Sequence, residues 1–148
     1  NDPQLKAIDE FVHGGGTVFV ETVGGLGHFA AGVSRQLQDL LQKPLLPLAE
    51  EDSIITGVGL KHGYDNRRLN YRRTSLIKLL GSHEPRLMAI LVEDRPAIIV
   101  SHEDLTLGAM GVQRSNILGY TKRSATQLLT NLILSARKHC QGKQSKPK

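Results

Sequence analysis

Gly14-Gly15-Gly16-Thr17-Val18-Phe19-Val20-Glu21-Thr22-Val23-Gly24-Gly25-Leu26-Gly27-His28 decides the fold. It reads as a helix stop, a buried strand, a glycine-rich turn and the start of a second helix. Thr17 to Val20 is a short run of β-branched and aromatic residues between glycine and the polar exit Glu21-Thr22. Continuous rather than alternating hydrophobicity signals burial on both faces, the habit of parallel sheets. Gly24, Gly25 and Gly27 permit a tight turn, because glycine takes positive φ at little cost. Phe29, Val33, Leu37, Leu40 and Leu41 then recur at helical spacing. Strand, glycine turn and helix make one step of an α/β fold. Ligands of open α/β sheets gather at the carboxyl ends of strands, so this turn is the first place to seek a site.

Working outward, Asp2-Pro3 is a helix start, with Asp as N-cap and Pro at the first helical position. Leu5, Ile8, Phe11 and Val12 form its apolar face, and Gly14 to Gly16 end it. The second helix runs from about Gly27 to Gln42 and stops at Pro44 and Pro47, with Leu45, Leu46 and Leu48 crossing the core edge. From Ala49 to Arg73 periodicity dissolves. A short helix or turn is expected near Ser53 to Gly57, with the remainder a surface excursion. Ser75 to Leu80 reads as a strand. Leu87 to Val92 and Ala97 to Val100 are strands joined by Glu93-Asp94-Arg95-Pro96, a connection too short for a parallel crossover, so they are antiparallel. The last helix, about Ser124 to His139, is expected to bury Ala125, Leu128, Leu129, Leu132, Ile133 and Ala136. The first and last helices fall on opposite layers, which gives a three-layer α/β/α sandwich.

The chain has 148 residues, enough for one α/β domain over 1–139 with a real core. No apolar run approaches the ~20 residues of a membrane-spanning helix. No signal peptide is visible, and a chain that opens directly on a helix is expected to be truncated at its N-terminus. The formal charge of +5 is local. Arg137, Lys138, Lys143, Lys146 and Lys148 have no acid among them, and the other 14 basic residues match the 14 acidic ones. Residues 140–148 read as a disordered basic tail on a neutral body. Cys140 is the only cysteine, so there is no intrachain disulfide and no multi-cysteine zinc site.

The helix with Gly-Gly-Thr-Val-Phe-Val and its acidic exit, the glycine turn, Phe29 to Leu41 and Pro47-Leu48 through Asp52 resemble a bacterial family catalogued as domain of unknown function 4159. So do Leu87-Met88-Ala89-Ile90, Asp94 to Ser101, Glu103-Asp104-Leu105, Gly111, Gly119-Tyr120 and the helix bearing Asn131. The resemblance runs from about Leu5 to Ala136. It implies a flavodoxin-like sandwich of the class I glutamine amidotransferase-like type, mostly parallel, with an antiparallel hairpin near residues 87–101. It also implies a missing preceding strand, so that this chain would be the C-terminal part of the family domain. Members often end longer bacterial proteins, some exported or membrane-attached. A missing strand would leave one sheet edge bare and prone to pairing, hence a homo-oligomer or a partner chain at that edge. Many members carry Cys and His after the central strand; here only Glu21 keeps the acidic character.

Amidotransferase chemistry needs a nucleophile on a sharp strand-to-helix turn, a base and an oxyanion hole. Cys140 lies far from any strand tip, and Thr22 lacks an obvious base. Ser101-His102-Glu103-Asp104 holds the letters of a triad, but adjacent side chains diverge; Ser101 or Asp104 is expected to cap a turn or helix instead. Gly24-Gly25-Leu26-Gly27-His28 lacks both the phosphate-loop Lys and dinucleotide spacing. No histidine pair has helical metal-site spacing, and no metal or cofactor is expected. Arg67, Arg68, Arg72 and Arg73, interleaved with Tyr64 and Tyr71, form a basic cluster. It reads as a loop salt-bridged to Glu50, Glu51, Asp52 and Asp65 ahead of an anion or nucleic-acid site. The expected function is a non-catalytic ligand-binding or protein-interaction domain of a larger bacterial protein. Its candidate surface is Glu21, Gly24, Gly25, His28, Ser101 and Asp104. The alternatives are a hydrolase-type enzyme at that edge, and nucleic-acid binding through Arg67 to Arg73.

Overall fold

The glycine-bounded apolar run forms strand β1 (Val18–Glu21), and the helix before it, α1 (Pro3–His13), stops on the three glycines. Gly15 N–H donates to Val12 O at 3.1 Å and Gly16 N–H to Phe11 O at 2.9 Å. Gly15 has φ +99°, so a residue free of the Cβ penalty closes the helix in a Schellman arrangement. The structure, a computed structural model, describes residues 3–23, 28–112 and 118–144, with the backbone alone at 28–30 and 141–144. Asp2, the expected cap of α1, lies outside them.

After β1 come α2 (His28–Leu41), β2 (Leu46–Pro47), α3 (Ser53–Thr56), α4 (Arg73–Lys78), β3 (Leu87–Val92), β4 (Arg95–Ser101), α5 (Leu105–Ala109) and α6 (Lys122–Gln144). The four strands form one open sheet in the order β1-β4-β3-β2. β1 and β4 are parallel, with Val18 opposite Ile98 and Glu21 opposite Ser101. β3 and β4 form the expected antiparallel hairpin, and β2 lies antiparallel on β3. Among the described strands the sheet is therefore mostly antiparallel, which corrects the expectation of a mostly parallel one. β4 is buried on both faces, whereas β1, expected to be buried, is a half-buried edge strand among the described strands; continuous hydrophobicity reports apolar packing on both faces rather than strand direction. The hairpin turns on Glu93 and Asp94, at φ +52° and +58°, the paired positive values of a two-residue type I′ connection. Pro96 falls beside the register shift at Ile90/Leu91 and before β1 begins to pair, where its missing N–H costs no ladder bond.

Apolar side chains fill both faces of the sheet. Val18, Val20, Ile98, Val100 and Ile90 pack with Val12 of α1 and with Leu37 and Leu41 of α2. Phe19, Ile99 and Leu87 pack with Ile54 and Ile55 of α3, Leu76 of α4, Leu105 of α5, and Ala125, Leu128 and Leu132 of α6. Along β1 and the inner part of β4 the two sets alternate, as a pleated strand requires.

Some expected elements differ. Ser75 to Leu80 is not a strand: α4 covers Arg73–Lys78. Ser75 is buried and Leu76 and Leu79 pack inward, while Ile77 and Leu80 are 68% and 95% exposed. That is one face of a short helix, and so brief an apolar run does not separate the two periods. Leu46 and Pro47 form an exposed edge strand, so Leu46 does not pack on the core as Leu45 and Leu48 do. Phe11 is 55% exposed because its ring covers Gly16, where a Cβ would stand 2.4 Å from the ring. In α6, Ile133 is 67% exposed and Asn131 and Ser135 are buried in its stead. α6 reaches Gln144, so residue 140 falls inside the helix; 145–148 lie outside the described residues.

The segment from Ala49 to Arg73 holds the expected short helix α3, but the rest is anchored rather than a surface excursion. Leu60, Asn66, Leu69 and Tyr71 are all buried. Asn131 Nδ2 donates to Ile54 O at 2.8 Å and Tyr64 O at 2.7 Å, and its Oδ1 accepts from Tyr64 N–H at 2.8 Å. A polar side chain on α6 thus does for this irregular backbone what a neighbouring strand does for a sheet.

Candidate functional site

Parallel pairing of β1 with β4 sets Glu21 beside Ser101, so the two strand ends meet as expected. Their polar atoms, however, serve backbone. Glu21 Oε2 accepts from Leu105 N–H at 2.9 Å and Thr106 N–H at 3.0 Å, at the start of α5. Asp104 is the N-cap of α5, its Oδ1 accepting from Leu107 N–H at 2.8 Å. Ser101 Oγ donates to Glu103 O at 2.8 Å and accepts from Glu103 N–H at 3.2 Å, and Thr22 Oγ1 donates to Ser101 O at 3.3 Å. The capping roles expected of Ser101 and Asp104 are present. Gly24 and Gly25 lie outside the described residues, and His28 is described only as the first backbone residue of α2. Glu21→Ala is expected to cost about 1–2 kcal/mol by leaving Leu105 and Thr106 N–H without this acceptor, as a urea denaturation curve will measure.

The turn made by Ser101 sends Glu103 inward. Glu103 is only 4% exposed. Its Oε1 accepts from Arg86 Nη1 at 2.7 Å, and its Oε2 has no hydrogen-bond partner among the described residues. Burial pushes the Glu103 carboxyl up to about 7, against the downward pull of Arg86. His102 is held below the usual imidazole range by burial and then by the Arg86 charge. A cavity of about 160 Å³ opens here, lined by Ser75, Lys78, Leu79, Arg86, His102, Glu103 and Leu118. Ser75 Oγ accepts from Gly119 N–H at 2.7 Å, so the lining hydroxyl is already engaged.

Behind the cavity Tyr71 and Tyr120 stack with ring centroids 4.5 Å apart and hydroxyl oxygens 3.2 Å apart. Tyr71 OH donates to Glu84 O at 2.5 Å, and Tyr120 OH accepts from Arg86 N–H at 2.9 Å. Burial raises both phenols well above their ordinary range, and the Glu103 charge adds to it. Neutral phenols therefore fix the backbone that carries Arg86. The arrangement supplies a carboxyl able to donate or accept near neutral pH, flanked by the cations Arg86 and Lys78. Sequence reasoning placed Glu103 among diverging triad letters and did not find Arg86 or Lys78. The available signal was an acidic residue two positions after an apolar strand, which burial then perturbs.

The basic cluster divides. Arg67 pairs with Asp65, Nη2 to Oδ2 at 2.5 Å, and holds that carboxyl down at about 2. Asp52 caps α3 through Ile54 N–H at 2.8 Å, and among the described residues Asp65 is the only one of the four expected acids in an ion pair with the cluster. Arg68 is exposed. Arg72 donates from Nε to Tyr120 O at 3.2 Å and from Nη2 to Leu107 O at 3.4 Å. The reading of one salt-bridged loop thus holds for Arg67 and not for Arg72, whose partners are carbonyls.

No helix among the described residues is long and apolar enough to cross a membrane. No curated protein and no solved structure matches the chain. One family model does, over residues 1–136: the chain belongs to the family described as Domain of unknown function (DUF4159).

Proposed function

We propose that the chain is a non-catalytic ligand-binding domain of a larger bacterial protein, with its site in the Glu103 cavity. The carrying observation is the partnerless Oε2 of a buried Glu103. An unsatisfied buried carboxylate oxygen costs free energy unless a ligand donor or a proton meets it. Arg86 and Lys78 in the same lining suit an anionic group. The ligand class is therefore a small carboxylic acid bearing an amine or hydroxyl donor. A cavity of about 160 Å³ suits such a molecule, since comparable engineered cavities of ~150 Å³ admit benzene. The engaged Ser75 hydroxyl and the absence of a cysteine from the lining favour binding over nucleophilic catalysis.

This reading carries a flavodoxin-like, three-layer α/β/α sandwich of the glutamine amidotransferase type over residues 1–139. Apolar packing on both sheet faces and a cavity beyond the carboxyl end of β4 support it. The described part of the candidate edge, Glu21, Ser101 and Asp104, is then the flank of the site, with Ser101 leading into His102-Glu103. A thermal-shift screen of small amino and hydroxy carboxylic acids tests the proposal. Hits are expected, and Glu103→Gln is expected to weaken them at least about tenfold through the altered hydrogen bond. Equal binding to both proteins, or no binding to the wild type, overturns it.

A second reading rests on β1, which pairs on one side only among the described strands and whose four residues are all half-buried. Its open edge suits a strand from a second copy or from the parent protein. Light scattering after size exclusion will show a dimer if so, and a clean monomer at high concentration contradicts it.

A further inference from the structure

The half of the basic cluster without acidic partners lines a separate cavity. It measures about 260 Å³ and is lined by Tyr71, Arg72, Arg73, Gly108, Gly111, Thr121 and Lys122. Three of these residues are cationic and none is acidic. Positive charge gathered in one cleft with no carboxylate in its lining raises the local anion concentration.

The three cations are held differently. Arg72 is half-buried and pinned by the carbonyls of Tyr120 and Leu107, which leaves Nη1 without an acceptor among the described residues. A guanidinium fixed on two carbonyls is pre-organised, so a ligand need not order it. The Arg73 and Lys122 side chains are exposed and have no hydrogen bond or ion pair among the described residues. Gly111 admits Lys122 to the wall: a Cβ at that position would stand 3.1 Å from Lys122 Cδ. Thr121 adds a hydroxyl to the lining.

From this arrangement we infer that the Arg72-Arg73-Lys122 cavity binds a phosphate group, carried by a phosphomonoester or present as inorganic phosphate. Forked guanidinium donors match the tetrahedral oxygens, and a lysine adds a point charge. A half-open pocket of about 260 Å³ fits a terminal phosphate rather than the continuous backbone of a nucleic-acid strand, which needs an extended groove with stacking rings. The site is distinct from the Glu103 cavity and does not depend on it.

Titration of the full chain with inorganic phosphate and with phenyl phosphate, followed by phosphorus NMR at constant ionic strength, tests this. Saturable one-to-one binding is expected. Arg73→Ala and Lys122→Ala, both exposed and so free of core effects, are each expected to weaken it about tenfold or more. Arg67→Ala removes an equally charged residue already paired with Asp65 and is expected to change it less than about twofold. Glu103→Gln is expected to leave phosphate affinity unchanged, which separates this site from the carboxylate-ligand reading. Non-saturating binding, or an equal loss in Arg67→Ala, overturns the inference. So does binding of a single-stranded oligonucleotide without binding of either small phosphate.

Discussion

Asn131→Leu is expected to destabilise the protein by about 3–5 kcal/mol, a loss typical of breaking a buried hydrogen-bond network. Asn131 is fully buried and makes three hydrogen bonds to the backbone of residues 54 and 64. Leucine preserves much of the volume and leaves Tyr64 N–H and the two carbonyls without this partner. Asn131→Asp removes both amide donors and sets a carboxylate against those carbonyls, so it is expected to do no better. The change reaches the neighbouring buried amide, because Asn66 Nδ2 also donates to Ile54 O, at 3.2 Å. Urea denaturation with hydrogen exchange across residues 57–66 measures it. A loss under about 1 kcal/mol would mean that water replaces the lost bonds.

Glu103→Gln is expected to change how stability depends on pH. The folded carboxyl titrates at about 7 against an ordinary 4.5, so the folded chain holds a proton that the unfolded chain has released between those values. The resulting stabilisation is fully present below pH 4.5 and lost as pH rises through 7. At about 1.4 kcal/mol for each pH unit of displacement, the effect is on the order of 3 kcal/mol. Glutamine has no such proton, so the variant gains on the wild type across that window and the two become pH-parallel above it. Parallel profiles from pH 4 to 8 would show that the carboxylate is hydrated in the folded state. Arg86→Met is expected to push the Glu103 carboxyl higher still, because it removes the group that pulls it down.

The elements that sequence disclosed are those whose signals are local. Glycines after α1 and a connection between β3 and β4 too short for a crossover each constrain the backbone within a few residues. Strand direction was not local: apolar runs are buried alike in either sense, and β2 was too short to show a period. α4 was misassigned because Ser75 and Leu79 face inward only through their contacts with distant segments, as when Ser75 Oγ accepts from Gly119 N–H. Glu21 and Ser101 adjoin through the β1–β4 pairing, yet their engagement by α5 and the 101–103 turn is a tertiary fact. Glu103 depends on long-range folding most of all. Its burial needs β3 to deliver Arg86 and α4 to deliver Lys78, and no spacing in the chain links residues 78, 86 and 103.

A carbon-13 NMR titration of the glutamate carboxyls, with Glu103 assigned by comparison with Glu103→Gln, is the most direct test of that cavity. The structure predicts a Glu103 carboxyl titrating near 7, with a midpoint that falls when a ligand amine or hydroxyl donates to Oε2. A Glu103 midpoint near 4.5 that no ligand moves would mean that the oxygen is already satisfied by solvent, and would remove the ground for a binding site there.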